Sequence, residues 1–277
     1  MTATWDWTGR GRMTTLAGRI ARRTPGVSRV LRQRDDLADR VRQLEGRVAD
    51  LTRPARDDLS FVFIVTYGRS GSTLLQGLLD STPGWLIRGE NAGSVYPLFQ
   101  HYKLITERPQ SRRRPTPTSP TDPWFGLDGY PRQRAQRALR DLVLDTLLRP
   151  EPDTRVTGFK EIRWQSADLP DYLRFLQELF PGARFIVNTR DHEKVVASWQ
   201  KKGGGWAGKD HDGQLREVAR IETLQREATE ALGDAAYRVH FDDYVADVGV
   251  LRGLFEWLGE EYDDARLRAV MATQHSY

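Results

Sequence analysis

The run Phe61-Val-Phe-Ile-Val65 passes directly into Thr66-Tyr-Gly-Arg-Ser-Gly-Ser-Thr73, and then into Leu74, Leu75, Leu78 and Leu79. Five consecutive β-formers bounded by polar residues read as a strand buried on both faces. The leucines fall on one face of a helix that ends near Pro83-Gly84. No other stretch constrains the fold as much as this strand, glycine-containing loop and helix in sequence. A strand covered on both sides requires helices above and below it.

The rest of the chain repeats the alternation. Arg184-Phe-Ile-Val-Asn188 is a second buried strand, preceded by a helix carrying Leu173, Leu176, Leu179 and Phe180. Arg155-Val-Thr-Gly-Phe159 and Tyr237-Arg-Val-His-Phe241 are further strand candidates, and helical periodicity fills 132–149, 213–232 and 247–258. Strands alternating with helices predict an open, mostly parallel α/β sheet. The 277 residues suit one large domain with an appendage, or two small domains.

Charge divides the chain. Residues 1–56 hold 13 Arg against 6 acidic residues, whereas 57–277 hold 29 basic and 32 acidic residues. The basic excess therefore belongs to an N-terminal arm, and the body is no general binder of polyanions; nucleic acid is not expected as a partner. Within the arm, Leu37, Val41, Leu44, Val48 and Leu51 follow the 4-3-4-3 spacing of a short coiled coil. So few heptads are marginal alone, so the seam predicts a homodimer through 31–51 or packing on the body. Trp5, Trp7 and Leu16-Ala-Gly-Arg-Ile-Ala-Arg-Arg23 form a basic, mildly amphipathic stretch suited to weak contact with a membrane surface by 1–30. The absence of an apolar signal core and of any membrane-spanning run predicts a cytoplasmic protein, membrane-peripheral at most.

The expected organisation is thus an arm with a short coiled coil over 1–56 and an α/β body over 57–277. Residues 107–124 contain five prolines and Arg112-Arg-Arg114, and read as a long flexible loop. Gly203-Gly-Gly205 and Gly208 mark another loop, directly after Ser198 and suited to closing over a ligand.

The loop after the first strand is built for an anion. Several backbone N–H groups converge where a buried strand meets a helix N-terminus, and the helix dipole favours negative charge there. Gly68 and Gly71 permit close approach, Ser70, Ser72 and Thr73 add hydroxyl donors, and Arg69 offers a fork matched to phosphate or sulfate oxygens. The P-loop of nucleotide triphosphatases needs a Lys after its last Gly, but Gly71 is followed by Ser72. Kinase or ATPase chemistry is disfavoured accordingly. Cys is absent, which excludes disulfides, thiolate metal sites and a Cys nucleophile, and His101, His192, His211, His240 and His275 show no metal-ligand spacing.

These residues resemble a family. Tyr67-Gly-Arg-Ser-Gly-Ser-Thr-Leu-Leu75 is similar to the 5′-phosphosulfate loop of sulfotransferases that use 3′-phosphoadenosine 5′-phosphosulfate (PAPS). Their second motif, a strand-end Arg with a Ser eight residues on, matches Arg190-Asp-His-Glu-Lys-Val-Val-Ala-Ser198. Tyr237 to Val245 and Phe255-Glu-Trp-Leu-Gly259 resemble the family's C-terminal strand and helix. The resemblance covers roughly 59–277 and implies a P-loop-like three-layer α/β sandwich with a central parallel sheet, preceded here by the helical arm.

It also implies roles. Arg69, Ser70, Gly71, Ser72 and Thr73 would bind the 5′-phosphosulfate, and Arg190 with Ser198 the 3′-phosphate, with no metal. Glu90, in Leu86-Ile-Arg-Gly-Glu-Asn91, resembles the carboxylate base of the protein-tyrosine branch, although that branch has a second Glu where this chain has Asn91. Lys160, ending the strand in Val156-Thr-Gly-Phe-Lys-Glu-Ile-Arg163, resembles a lysine that stabilises the transferring group, together with Arg69. Glu161 is the reserve candidate for the base, and Arg163 is read as its ion-pair partner. The expected reaction is sulfuryl transfer to a hydroxyl acceptor, a glycan or small metabolite being preferred. The rival readings are a nucleotide-dependent phosphotransferase and a non-catalytic coiled-coil assembly protein with a degenerate fold.

Overall fold

A computed structural model describes residues 33–44, 56–111, 119–121, 125–126, 129–201 and 208–273. The chain divides into two units, Met1–Asp57 and Asp58–Tyr277. In the first, residues 33–44 form a helix, α1, on which Leu37, Val41 and Leu44 are all exposed. Val48, Leu51, the basic stretch 1–30 and most of the loop 107–124 lie outside the described residues.

The second unit is built on five strands: β1 (Ser60–Val65), β2 (Trp85–Arg88), β3 (Val156–Glu161), β4 (Arg184–Thr189) and β5 (Ala236–His240). They form one sheet in the order β2-β3-β1-β4-β5, and every neighbouring pair is parallel. The helices are α2 (Ser72–Asp80), α3 (Tyr96–Ser111), α4 (Arg132–Val143), α5 (Leu169–Leu179), α6 (His192–Lys201), α7 (His211–Glu230), α8 (Phe241–Ala246), α9 (Arg252–Leu258) and α10 (Asp264–Met271).

The alternation of side chains along β1 accounts for the three layers. Phe61, Phe63 and Val65 enter one core with Phe99 of α3 and Tyr172, Leu173 and Leu176 of α5. Val62 and Ile64 enter the other, with Leu74, Leu75, Leu78 and Leu79 of α2, Phe241 and Tyr244 of α8, and Leu254 and Phe255 of α9. The strand expected to be buried on both faces is therefore at the centre of a three-layer α/β/α sandwich.

Two boundaries differ from the sequence reading. The helical pattern over 132–149 is α4 followed by a π turn over Leu144–Leu148, which Arg149 ends in left-handed backbone with φ 44°. The segment 107–111, expected as loop, completes α3.

Strand order reverses at β1, which has β3 on one side and β4 on the other. Open α/β sheets bind ligands at the carboxyl ends of the strands where such a reversal occurs. Those ends carry the Thr66–Gly71 loop, Lys160 and Arg190. No helix among the described residues is long and apolar enough to cross a membrane.

Candidate active site

The loop between β1 and α2 is held from below by buried polar groups. Thr66 Oγ1 lies 2.6 Å from Ser70 Oγ and 2.7 Å from the Asn188 carbonyl oxygen. Asn188 donates its side-chain amide to the Ser70 carbonyl at 2.9 Å and accepts from the Tyr244 hydroxyl at 3.0 Å. Ser70 is fully buried, so its hydroxyl belongs to this internal network and its surface contribution is backbone. Ser72 is also buried and Thr73 half-buried, both in the first turn of α2.

Gly71 caps α2 and has no alternative. Its φ of 79° is left-handed, and a Cβ would lie 2.0 Å from the Phe241 ring. The helix N-terminus consequently carries no side-chain cap. The residue two places earlier, Arg69, is also left-handed at φ 67°, and its Nε donates to Ser198 Oγ at 2.9 Å.

Arg190 joins them from the end of β4. Its Nη1 donates to the Arg69 carbonyl at 3.0 Å, and its guanidinium carbon lies 4.5 Å from the Phe241 ring centre, a cation–π contact. Its backbone N–H donates to the Tyr67 hydroxyl at 3.0 Å, and that hydroxyl donates to Glu222 at 2.9 Å. Burial, with the Glu222 charge behind it, drives the Tyr67 phenol far above its ordinary pKa, so it remains a donor. The Arg190 Nε is buried without a hydrogen-bond partner among the described residues. A guanidinium nitrogen without a partner, beside a loop with no room for a Cβ, fits an anion-binding role.

A second group lies at the end of β3. Lys160 is buried, and its Nζ donates to Glu90 Oε1 at 2.7 Å; the Glu90 side chain is 39% exposed. Glu161 is buried too, and its carboxylate takes amide hydrogen bonds from Asn91 at 3.1 Å, Gly93 at 2.9 Å, Ile162 at 2.8 Å and Arg163 at 3.2 Å. The Arg163 side chain completes the set at 3.0 Å, the expected ion pair. Burial alone would raise the Glu161 carboxyl, but the Ile162, Gly93 and Asn91 amides and the Arg163 charge outweigh it and hold it below the usual carboxylate range. Five donors saturate a carboxylate's lone pairs. Glu161 is thus unsuited to the reserve role of base, and Glu90 is the carboxylate with open surface.

The sequence profile of the Sulfotransferase family matches residues 62–264. The chain belongs to the sulfotransferase family.

No curated protein matches. Among solved structures, the chain is similar to the sulfotransferase domain from the curacin biosynthetic pathway, at 13% identity, covering 78% of this chain and 79% of that one, with a TM-score of 0.48. It is also similar to the sulfotransferase domain of the Synechococcus PCC 7002 olefin synthase (18% identity, 81% of each chain, TM-score 0.46). Sulfotransferase STF9 from Mycobacterium avium shares 16% identity over 83% of this chain and 71% of its own, with a TM-score of 0.44. Membership rests on the profile match, not on these distant likenesses.

For a sulfotransferase, the fold gathers two groups from distant sequence. Arg69, Arg190 and Ser198 meet around the β1–α2 loop, and Glu90 meets Lys160 at the end of β3. Tyr67, Glu222, Asn188, Tyr244 and Phe241 were not anticipated as supports of the site. Among the described residues, no group of three acidic or His side chains is arranged to hold a metal ion. His192, His211 and His240 instead hydrogen-bond Glu222, Glu193 and Thr189, His101 is exposed, and His275 lies outside the described residues. Most of the Gly-rich segment after Ser198, residues 202–207, also lies outside them.

Proposed function

We propose that this sulfotransferase uses PAPS and transfers its sulfuryl group to a hydroxyl acceptor of glycan or small-metabolite type. The observation that carries the reading is the docking of Arg190 on the Arg69 carbonyl at 3.0 Å, across 121 residues, with its Nε buried and unsatisfied. A salt bridge would have explained a strand-end Arg without a ligand; a guanidinium held by a carbonyl and an aromatic ring, with its Nε unsatisfied, suits an anion.

In this reading PAPS supplies an activated sulfuryl group on a phosphate leaving group. The amides of the Arg69–Thr73 turn, with the Ser72 and Thr73 hydroxyls and Arg69, hold the 5′-phosphosulfate at the N-terminus of α2. Arg190 and Ser198 hold the 3′-phosphate, and Ser70 keeps the turn in shape from inside. Glu90 removes the acceptor's hydroxyl proton. Lys160 and Arg69 balance negative charge as it develops on the departing and sulfuryl oxygens. No metal enters the scheme.

The arm serves assembly: α1 displays Leu37, Val41 and Leu44, the first three positions of the seam, for a second copy of the chain.

Labelled-sulfate transfer from PAPS to a panel of glycans and small hydroxyl metabolites tests the reading. Glu90→Ala is expected to abolish transfer while leaving adenosine 3′,5′-bisphosphate binding intact. Lost binding with residual transfer preserved contradicts the role of Glu90. A requirement for ATP and magnesium contradicts the donor.

A further inference from the structure

We propose that Glu161 is the positioning residue for the base, fixing the backbone of the Glu90 turn while its neighbour Lys160 fixes the side chain; this rests on the reading of Glu90 as base. Successive residues of a strand point to opposite faces. Lys160 and Glu161 therefore leave β3 on opposite sides, yet both end on the same short turn between β2 and α3. Lys160 reaches Glu90 Oε1, and Glu161 Oε2 takes the Asn91 and Gly93 amides at 3.1 and 2.9 Å.

The turn is wrapped around that carboxylate. Ala92 and Gly93 are both left-handed, at φ 59° and 72°, and Asn91 Oδ1 accepts from the Ser94 amide at 3.0 Å. A run of such backbone turns its N–H groups into one concavity, the shape in which loops receive anions. Here the anion comes from the protein itself. Alanine holds a left-handed conformation only where its surroundings require it, and the Glu161 carboxylate supplies that requirement. The other carboxylate oxygen, Oε1, is tied to the Ile162 and Arg163 amides and to the Arg163 guanidinium. The carboxylate thus joins the end of β3 to the turn carrying Glu90, with a side chain only 5% exposed.

Glutamine is the informative substitution. It keeps the shape, but its NH₂ faces N–H donors whichever way the amide is turned. One orientation breaks the contacts to Asn91 and Gly93, and the other breaks those to Ile162 and Arg163. The first orientation frees the turn from the strand; the second keeps it only on a neutral amide oxygen, a weaker acceptor than the carboxylate, and sets the NH₂ against the Ile162 and Arg163 donors. Displacement of a catalytic group by about 1 Å costs on the order of 100-fold in rate.

The test measures steady-state transfer, bisphosphate binding and amide hydrogen exchange in Glu161→Gln, with Glu90→Ala alongside. The expected result is a fall in kcat of roughly 10–100-fold with the donor KM within about twofold, and faster exchange at Asn91 and Gly93 while 156–160 stays protected. Arg163→Ala, at a side chain 52% exposed, removes one contact without threatening the fold and is expected to lower kcat in the same manner but less. Unchanged kcat in Glu161→Gln beside an inactive Glu90→Ala overturns the positioning role alone. A donor KM that rises in step with the loss of kcat also overturns it, because the effect is then general. Full turnover in Glu90→Ala removes the base reading itself, and the positioning role with it. If Glu161→Gln does not fold, Arg163→Ala with wild-type kcat is the overturning result.

Discussion

Replacing Gly71 by Ala tests whether the anion loop has the geometry described above, and Gly68→Ala is its control. Sequence alone treats the two glycines alike, as places of close approach. The structure separates them. A Cβ at Gly71 falls 2.0 and 2.1 Å from two carbons of the Phe241 ring, at φ 79°. At Gly68 the nearest atom, Trp199 Nε1, is 3.4 Å away, an ordinary contact. Left-handed backbone costs an L-residue about 1–2 kcal/mol. Driving a buried ring aside costs about 1–3 kcal/mol more. Gly71→Ala therefore loses roughly 2–5 kcal/mol, or on the order of 5–15 °C in Tm for a domain of this size. Phe241 also stacks on Arg190 at 4.5 Å, so the displaced ring carries the guanidinium away from the loop and bisphosphate affinity falls as well. Gly68→Ala is expected to change stability by less than about 1 kcal/mol. Urea unfolding followed by circular dichroism, with bisphosphate titration of each variant, provides both readouts. Equal stability of Gly71→Ala and the parent, or equal losses at the two glycines, refutes the reasoning.

Three further outcomes follow from other parts of the molecule. Burial raises the Asp80 carboxyl from 3.8 to about 6, against the opposing Ile87 amide, Gln76 and Arg88. A raised carboxyl stabilises fully below its ordinary pKa, and that contribution is lost as pH rises through about 6. At about 1.4 kcal/mol per pKa unit, discounted for partial exposure, Asp80→Asn gains roughly 1–2 kcal/mol at pH 7.5 and flattens the decline between about pH 4 and 6. The substituted amide still accepts the Ile87 N–H, so a loss of stability at pH 7.5 contradicts this. Lys160→Met is expected to lower turnover about 100–1000-fold with bisphosphate affinity nearly unchanged, and weakened nucleotide binding in equilibrium titration argues against its role on the transferring group. Leu44→Glu, in the exposed stripe of α1, is expected to convert a dimer to a monomer in sedimentation while leaving transfer activity per chain intact; an unchanged mass contradicts the seam.

The legible parts of the fold were those with local chemistry. The strand Phe61–Val65, the loop after it and the leucines of α2 are contiguous, so periodicity alone identifies them. Arg190 and Ser198 were legible only as a spaced pair, and their junction with Arg69 depends on β1 and β4 pairing across more than a hundred residues. Strand β2 was not legible: it is four residues, Trp85–Arg88, too short to establish alternation. In the sequence Glu90 is preferred to Glu161 only by its resemblance to a family segment; no local pattern shows how differently the two carboxylates are bonded. That distinction depends on the β3 pleat, which sends Lys160 and Glu161 to opposite faces, and on the left-handed turn at Ala92 that brings two amides onto one carboxylate. Tyr67 with Glu222, and Asn188 with Tyr244, meet at separations of 155 and 56 residues and leave no local signal. The Ser70 hydroxyl, expected to face the ligand, bonds Thr66 instead because the loop must satisfy its own buried polar groups.

The central claim is that the β1–α2 loop and Arg190 together bind one adenosine bisphosphate. A thermal-shift comparison of adenosine 3′,5′-bisphosphate with ATP plus magnesium, on the parent chain and Arg190→Ala, addresses it most directly. Ligand at 100-fold its Kd adds about 2.7 kcal/mol, or roughly 5–10 °C here. The account predicts a shift of that order with the bisphosphate alone, lost in Arg190→Ala. A shift with ATP and magnesium only, or a bisphosphate shift that Arg190→Ala leaves intact, contradicts it.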